Sequence, residues 1–292
     1  MEYCNFITRI NYLNLLLINI LLIIMSSQNN RGRYSSTENL KKRIIYGPPS
    51  EFICSLNPNN LSPFTSLRVI SNDEEIGLTF EDVNNTGNNF NWDTAGAQLS
   101  IQSTNANDNS TGTGVQSLLL QGLDTNWDII NETVLLDGTT SVLTTNTFLR
   151  LNGLIIVGIG SNGNAVGDVT VTGDSFTWGK VQAGSSLSND LGRFSTARGH
   201  SLIFENFGWT AGQNGDFILS GFFKNSTYAA QESGRFYVHS NSEFIKGSPN
   251  VQQEKTDFWF MAKRESGGGG SQKLSVFFTG WLSNNVDLLN YY

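Results

Sequence analysis

Cysteine and histidine are nearly absent from this sequence. The 292 residues include two cysteines, Cys4 and Cys54, and two histidines. Cys4 lies at the edge of an N-terminal apolar segment, so neither a disulfide framework nor a thiolate metal site is expected. Two histidines cannot build a multi-histidine metal centre. The composition therefore predicts no metal site and no cofactor.

Charge is also scarce. Charged residues make up 15% of the chain, and the formal net charge is -7. A nucleic-acid groove needs clustered lysine and arginine side chains that displace counterions from phosphates. The one basic cluster, residues 41–43, belongs to a short polar lead-in. We therefore expect no nucleic-acid partner.

Helical periodicity is missing as well. No long segment carries apolar residues three and four positions apart, which is the pattern of an amphipathic helix. Short alternating runs separated by Gly, Asn, Asp, Ser and Thr are present instead, and these are typical of β-strands. Candidate strands are residues 68–70, 77–81, 97–102 and 115–121. The pattern predicts an all-β protein with two β-sandwich, jelly-roll-like domains.

The N-terminus has the longest apolar run. Residues 13–24 read LNLLLINILLII, whereas a membrane-spanning helix needs about 20 apolar residues. No stable membrane span is therefore expected. Two interpretations of residues 1–24 stay open: a signal peptide, or a start assigned upstream of the true one at Met25.

Three further segments follow. Residues 25–50 are polar and end in a Gly-Pro-Pro run, which predicts an extended arm. Residues 51–172 and 173–292 are predicted to form the two sandwich domains. Strands of the second domain are richer in aromatic residues.

A glycine motif resembles a nucleotide-binding loop. Gly158, Gly160 and Gly163 form G-x-G-x-x-G behind an apolar run. That fingerprint requires a helix after the glycines, because the helix N-terminus holds the pyrophosphate. Residues 168–172 alternate with period 2 instead, which predicts a strand. We therefore interpret the motif as a glycine-rich turn between two strands.

Two further loops are predicted to close hairpins. Asp137 and Gly138 lie within residues 132–142, where an Asp-Gly pair favours a two-residue turn. The run SGGGGS at residues 266–271 separates the last two aromatic strands. Both segments predict antiparallel pairs of consecutive strands.

Carboxylates offer the clearest route to an enzyme. Glu132, Glu205, Asp216 and Asp257 are associated with strands, and glycosidases use two carboxylates across the sugar. The sequence cannot place two of them at the required separation, and a solvent-facing or turn-flanking role is favoured. Residues 107–109 resemble a calcium loop but lack the glutamate at the twelfth position, so a polar turn is favoured there. We predict no catalytic residue.

Tryptophan is the remaining candidate for binding. Trp127, Trp178, Trp209 and Trp259 lie in both predicted domains. Exposed tryptophan rings stack on sugars or fill subunit interfaces, although buried packing is favoured for consecutive aromatic residues such as 258–260.

Residues 121–171 resemble the repeated core of uncharacterised β-rich structural proteins of marine tailed phages and related aquatic viruses. The matching elements are GLD before Trp127, ETV, DGTT, TTNTFLR and GSNGNAVGD. The C-terminal run that begins EKTDFWF is similar to the final hairpin of that family. The similarity covers roughly residues 110–285, whereas the N-terminal apolar segment departs from the family.

The resemblance implies a virion component without catalytic residues, in the capsid or on the particle surface. The leading hypothesis is a non-enzymatic structural protein that forms a homo-oligomer and docks on other virion proteins. An acidic all-β chain without a recognisable site suits an assembly subunit. The alternative is a carbohydrate- or receptor-binding module, either on a virion or secreted, with surface glycans as its partner.

Overall fold

The structure is a computed structural model that describes residues 64–87, 89–90, 92, 95–186, 191–212, 216–225, 229–238, 242–265 and 273–284. All of these residues belong to one compact unit, Gly47–Tyr291. The predicted N-terminal segment 1–24, the arm 25–50 and the loop 266–271 lie outside the described residues.

The described residues form β-strands and no helix, which confirms the all-β class. In chain order the strands are β1 (Phe64–Asp73), β2 (Glu81–Asp82), β3 (Ala97–Ser103), β4 (Val115–Leu123), β5 (Ile129–Leu135), β6 (Val142–Phe148), β7 (Arg150–Ile159), β8 (Val169–Gly173), β9 (Phe176–Val181), β10 (Arg193–Ser195), β11 (His200–Ala211), β12 (Phe217–Asn225), β13 (Gln231–Val238), β14 (Ser242–Gln252), β15 (Thr256–Arg264) and β16 (Leu274–Asn284).

The strands pair antiparallel in four sheets that pack as two sandwiches. The first sandwich combines the sheet β6-β3-β8-β9 with the sheet β5-β4-β7. The second combines β1-β16-β11-β14 with β10-β15-β12-β13, and β2 pairs with β15. Two strands predicted from alternation, residues 97–102 and 115–121, are confirmed as β3 and β4.

The first core is mainly aliphatic. Leu99 and Ile101 of β3 pack in one cluster with Leu118 and Leu120 of β4, and all four side chains are fully buried. Alternation with period 2 explains this arrangement, since it sends every second side chain of each strand into the sandwich. Each such burial contributes about 1.5–3 kcal/mol relative to an exposed side chain.

The second core is richer in aromatic rings than the first. The Phe278 ring of β16 lies 4.9 Å from the ring centroids of Phe204 and Phe258 and 6.2 Å from that of Phe260. These residues come from facing sheets, so the rings bridge the sandwich. Edge-to-face contacts of this kind add about 0.5–1.5 kcal/mol beyond area burial.

Both predicted hairpins are wrong in their pairing. β5 pairs with β4 and β6 pairs with β3, so the Asp137-Gly138 turn connects two sheets of the first sandwich. β15 and β16 likewise belong to facing sheets of the second sandwich. Turn residues mark where the chain reverses, but the partner of each strand depends on core packing, which local sequence does not encode.

A third correction concerns residues 77–81. The predicted strand is reduced to β2, Glu81–Asp82, and the residues before it form bends. The glutamate side chain folds back and its carboxylate accepts a hydrogen bond from the Gly77 N–H. This local bond satisfies the Gly77 N–H in place of a neighbouring strand.

The division into domains 51–172 and 173–292 stays a prediction. The sheets do not separate at that position, because the hairpin β8–β9 crosses it. β1, from the predicted first domain, pairs along its full length with β16 near the C-terminus.

Candidate functional site

A buried ion pair connects the two sandwiches. Arg150 begins β7 of the first sandwich, and Asp257 lies in β15 of the second. The Nε and Nη2 atoms of Arg150 donate to Oδ1 and Oδ2 of Asp257 at 2.8 and 2.9 Å. The two side chains are 6% and 3% exposed. This two-point contact fixes orientation as well as distance.

Neutral groups complete the contact. Ser195 Oγ donates to Asp257 Oδ1 at 2.6 Å. The Asn152 amide donates from Nδ2 to the Ser195 carbonyl and accepts from the Ser195 N–H, both at 2.9 Å. The Asn152 side chain of β7 thus bonds the N–H and the carbonyl of Ser195 in β10, as a neighbouring strand would. We call Arg150, Asn152, Arg193, Ser195 and Asp257 the joint.

A second arginine lies beside the first. Arg193 of β10 is buried, and its Nη2 donates to the Trp178 carbonyl at 2.8 Å. Its guanidinium lies 4.5 Å from the ring centroid of Phe90. Burial, together with the charge of Arg150, lowers the pKa of Arg193 to about 10. The aromatic face replaces part of the hydration that burial removes.

Aromatic rings enclose Arg150 as well. Its guanidinium lies 5.0 Å from the ring centroid of Trp127 and 5.3 Å from that of Trp92. The Trp92 and Trp259 rings are in turn 4.9 Å apart. The joint is therefore enclosed by tryptophan rings from both halves of the chain.

Asp82 is the second acid of this region. It is buried, and its Oδ2 accepts a hydrogen bond from the Phe90 N–H. Asn89 Oδ1 accepts from the Asp82 N–H at 3.1 Å. Burial raises the pKa of Asp82 to about 6, against the opposing effects of the Phe90 N–H and of Arg193. Through these two hydrogen bonds, Asp82 contacts both Asn89 and Phe90.

The charged groups and rings of the joint are paired within the protein. Each arginine donates to a carboxylate or a carbonyl, and each ring packs on a guanidinium or on another ring. Breaking a buried pair from one side leaves an uncompensated charge, which costs about 3–5 kcal/mol. The geometry therefore holds the two sandwiches in one relative orientation.

The four candidate carboxylates have different placements. Asp257 belongs to the joint. Glu132 accepts hydrogen bonds from the backbone N–H groups of Thr145 and Asn146 at 2.6 and 2.9 Å, so it links β5 to β6 across the edge of the first sandwich. Asp216 is exposed. The side chain of Glu205 lies outside the described residues.

Residues 107–109 form a polar turn organised by one buried carboxylate. Asp108 accepts from Ser103 Oγ at 2.7 Å and from the N–H groups of Val115, Val166 and Gly167 at 2.8, 3.0 and 2.7 Å. These groups come from the end of β3, the start of β4 and the connection before β8. A carboxylate that accepts four bonds holds those three segments together at one end of the first sandwich.

Among the described residues, no three His, Cys, Asp or Glu side chains lie close enough to hold a metal ion. The same residues contain no helix that is long and apolar enough to cross a membrane.

Three of the four candidate tryptophans are buried. Trp178, Trp209 and Trp259 are 4%, 2% and 5% exposed, respectively. Trp178 donates from Nε1 to the Gly173 carbonyl at 3.1 Å. Trp127 is half-buried in the β4–β5 turn, where its φ is 66°. The structure thus does not bring the four rings together on one surface.

The candidate turn glycines all lie in the first sandwich. Gly138 has a φ of 60°, and its carbonyl accepts from the Ser103 N–H at 2.9 Å. Gly158 lies in β7, and Gly163, with a φ of 69°, belongs to the connection from β7 to β8. Gly160 donates to the Gly114 carbonyl at 2.7 Å. A strand, β8, follows the glycines, as the alternation predicts.

Sequence reasoning missed the two arginines and Asp82. Each arginine is a charged residue inside an otherwise apolar or small-residue run, TFLRLNGL around Arg150 and LGRFSTA around Arg193. Such residues are rarely buried unless paired. That signal could have indicated a buried network, but the choice of Asp257 as partner could not be read from it.

Comparison with known proteins gives little. No protein-family model matches the chain, and no curated protein matches it. Solved structures with some similarity include the VP2 subviral particle of infectious bursal disease virus, at 10% identity over 77% of this chain and 73% of that chain, with a TM-score of 0.20. A structure of the Gx strain of the same virus has 9% identity over 76% of each chain and a TM-score of 0.21. Scores this low carry no argument about fold or function.

Proposed function

We propose that the protein is a non-enzymatic structural protein of a virus, a capsid or particle-surface component that acts by self-association and by docking on other virion proteins. The joint is the observation that carries the proposal. A subunit of an assembly must hold its contact surfaces in a fixed relation, since closed symmetry tolerates little variation between copies.

The joint meets that need through tertiary contacts. The Arg150–Asp257 pair is buried and bidentate, and the Asn152 amide bonds both backbone groups of Ser195. A flexible connection between two sandwiches would leave their relative motion free. The resemblance of residues 121–171 to viral structural proteins supports the same conclusion.

The glycan-binding alternative has less support. Trp178, Trp209 and Trp259 are buried, so their faces are not open to a sugar. Trp127 is half-buried and lies against the Arg150 guanidinium. No other described feature favours a sugar site over an assembly surface.

Quantitative mass spectrometry tests the proposal. Virus particles from the source would be separated on a density gradient, washed at high salt, and digested. Peptides of this chain should follow the particle peak at a copy number comparable to other abundant particle proteins. A host protein that contaminates particles serves as the control for loose association. Abundance in cells or medium together with absence from washed particles would refute a virion role.

A further inference from the structure

The outer face of the sheet β5-β4-β7 carries a cluster of apolar side chains. Leu118 and Leu120 of β4 point into the core, so Leu119 between them faces outward. In the sheet register, Leu119 is opposite Ile155 of β7 and Thr133 of β5. The row beside it contains Leu135, Ser117 and Gly158, with Val157 at the irregularity next to Gly158. We call Leu119, Leu135, Ile155 and Val157 the apolar face.

The aliphatic side chains at the two edges of this face are largely exposed to solvent. Leu135 is 62% and Val157 is 51% exposed, both at the two outer strands of the sheet. The next row, Asn131, Gln121 and Gly153, is polar or small and carries no charge. The surface thus has an apolar centre with an uncharged polar rim on one side.

The opposite sheet of the same sandwich has a different outer face. There, Gln98, Ser100 and Gln102 of β3 face outward between Thr147 and Leu143 of β6 on one side and threonines of β8 on the other. Gln102 Nε2 donates to the Thr139 carbonyl, and Thr170 Oγ1 donates to the Gln102 carbonyl at 3.3 Å. Those polar side chains bond one another and the backbone. The side chains of the apolar face are aliphatic and cannot form such hydrogen bonds. Their removal from water by a partner would be favourable.

Charge indicates what covers the apolar face. The chain carries a net charge of -7, so two copies repel each other across most surfaces. None of the outward residues in the rows described above is charged. In a twofold contact each patch meets its own copy, and an uncharged patch is the surface that two acidic copies can bring together without placing like charges in contact.

Size agrees with this occupant. Three strands about 4.8 Å apart, each contributing about seven residues at about 3.3 Å, span roughly 300 Å². This area is the whole outer face of the sheet, and the four side chains of the apolar face cover its central part. That part suits the apolar centre of an interface of about 800 Å² per partner, in which a polar rim supplies the remainder.

From these observations we infer that the apolar face is the self-association surface of this chain, and that its partner is the same face of a second copy. The inference rests on the proposed function and identifies the surface through which self-association takes place. Leu119 and Ile155 lie at its centre, and Leu135 and Val157 at its two sides.

Substitution of exposed residues tests the inference in the full chain. The double variant Leu135→Lys with Val157→Lys places two charges on the face of each copy, so four meet in a twofold contact. The matched control is Leu143→Lys. Leu143 is also 62% exposed but lies on the polar outer face of the opposite sheet. All three positions are exposed, and circular dichroism with thermal melting checks that each variant keeps the wild-type fold.

Sedimentation velocity over a concentration series gives the readout. We expect the wild-type chain and Leu143→Lys to associate equally, and the double variant to dissociate with a Kd at least a hundredfold higher. If the double variant associates like the wild type, the face is not the surface, although self-association stands. A wild-type chain that stays monomeric at about 100 μM overturns the second copy as partner. If the double variant self-associates like the wild type but loses binding to lipid vesicles, the face belongs to that other partner.

Particle mass spectrometry separates this inference from the proposed function. Recovery of the chain in washed particles, together with an unaffected double variant, removes the surface but leaves the virion role. Loss of association in the double variant, together with absence from particles, leaves the surface but removes the virion role.

Discussion

The two sandwiches use different side chains for the same architecture. The first fills its core largely with Leu, Val and Ile and fixes the loops at one end with the Asp108 carboxylate. The second adds phenylalanine rings from both sheets to its aliphatic residues. Each phenylalanine ring fills more of the gap between sheets than an aliphatic side chain does. The difference indicates that the first sandwich depends more on backbone geometry and the second on side-chain volume.

The joint lies between the two sandwiches and contains residues of both. Arg150 extends from the aliphatic sandwich, and Asp257 immediately precedes the aromatic run 258–260. Its loss should therefore affect both sandwiches, whereas a loop substitution should affect one of them. Three predictions test this comparison, from the largest expected effect to the smallest.

Replacement of Asp257 by Asn should reduce the free energy of unfolding by about 3–5 kcal/mol. The asparagine amide keeps the shape of the carboxylate but leaves Arg150 without its charged partner, and uncompensated buried charge is costly. Urea denaturation followed by tryptophan fluorescence measures the change. Hydrogen exchange should show lower protection in both β4 and β16.

The control for this prediction is Asp128→Asn. It removes the exposed pair in which Arg198 Nη2 lies 2.8 Å from Asp128 Oδ2, and exposed pairs contribute within about 1 kcal/mol. Equal effects of the two substitutions, or loss of protection in one sandwich alone, would contradict the role of the joint.

Asp82 should make stability depend on pH. Its pKa is raised from 3.8 to about 6 in the folded protein, so between about pH 4 and pH 6 the folded state holds a proton that the unfolded state releases. Stability from this carboxyl is therefore greatest below pH 4 and declines as pH rises to 6, by on the order of 2–3 kcal/mol.

The variant Asp82→Asn should remove this dependence and be at least as stable as the wild type at pH 7, because desolvation outweighs the attraction of Arg193. Urea midpoints at pH 4.5 and pH 7 in both proteins measure the difference. A wild-type profile that the substitution leaves unchanged would show that another group titrates in this window.

Gly138→Val should destabilise the first sandwich by about 2 kcal/mol or more. Both Gly138 and Gly163 have positive φ, 60° and 69°, which a β-branched residue resists. A Cβ at Gly138 would also lie 2.9 Å from the Ala106 Cα, whereas nothing lies within 4 Å at Gly163. Gly163→Val, as the matched variant, should cost about 1 kcal/mol. Melting temperatures that fall equally would show that backbone conformation alone decides, without the contact to Ala106.

Much of the local structure was predictable, because strand and turn signals are local. Alternation correctly predicted β3, β4 and the strand that follows the glycine motif. A hairpin that the sequence analysis overlooked has an equally local cause: Asp174 and Ser175 both have positive φ, 49° and 67°, in the tight turn between β8 and β9. Small polar residues tolerate that conformation.

The joint was not predictable, since its members are far apart in the chain. The sequence makes Asp257 a catalytic candidate because it is associated with a strand. No local pattern pairs it with Arg150, which lies 107 residues away. Burial decides the role of both side chains, and burial depends on which sheets pack together.

The amino-acid sequence by itself determined that this protein is all-β, where most strands run and which of their residues face a core, because a two-residue period is a property of the chain. Tertiary structure decided which sheet each strand joins, as with β5 and β6 or β15 and β16, and which charges meet in the joint. The physical reason is that strand pairing and charge burial are selected by contacts between residues distant in sequence, whose energies exist only once the sheets have packed.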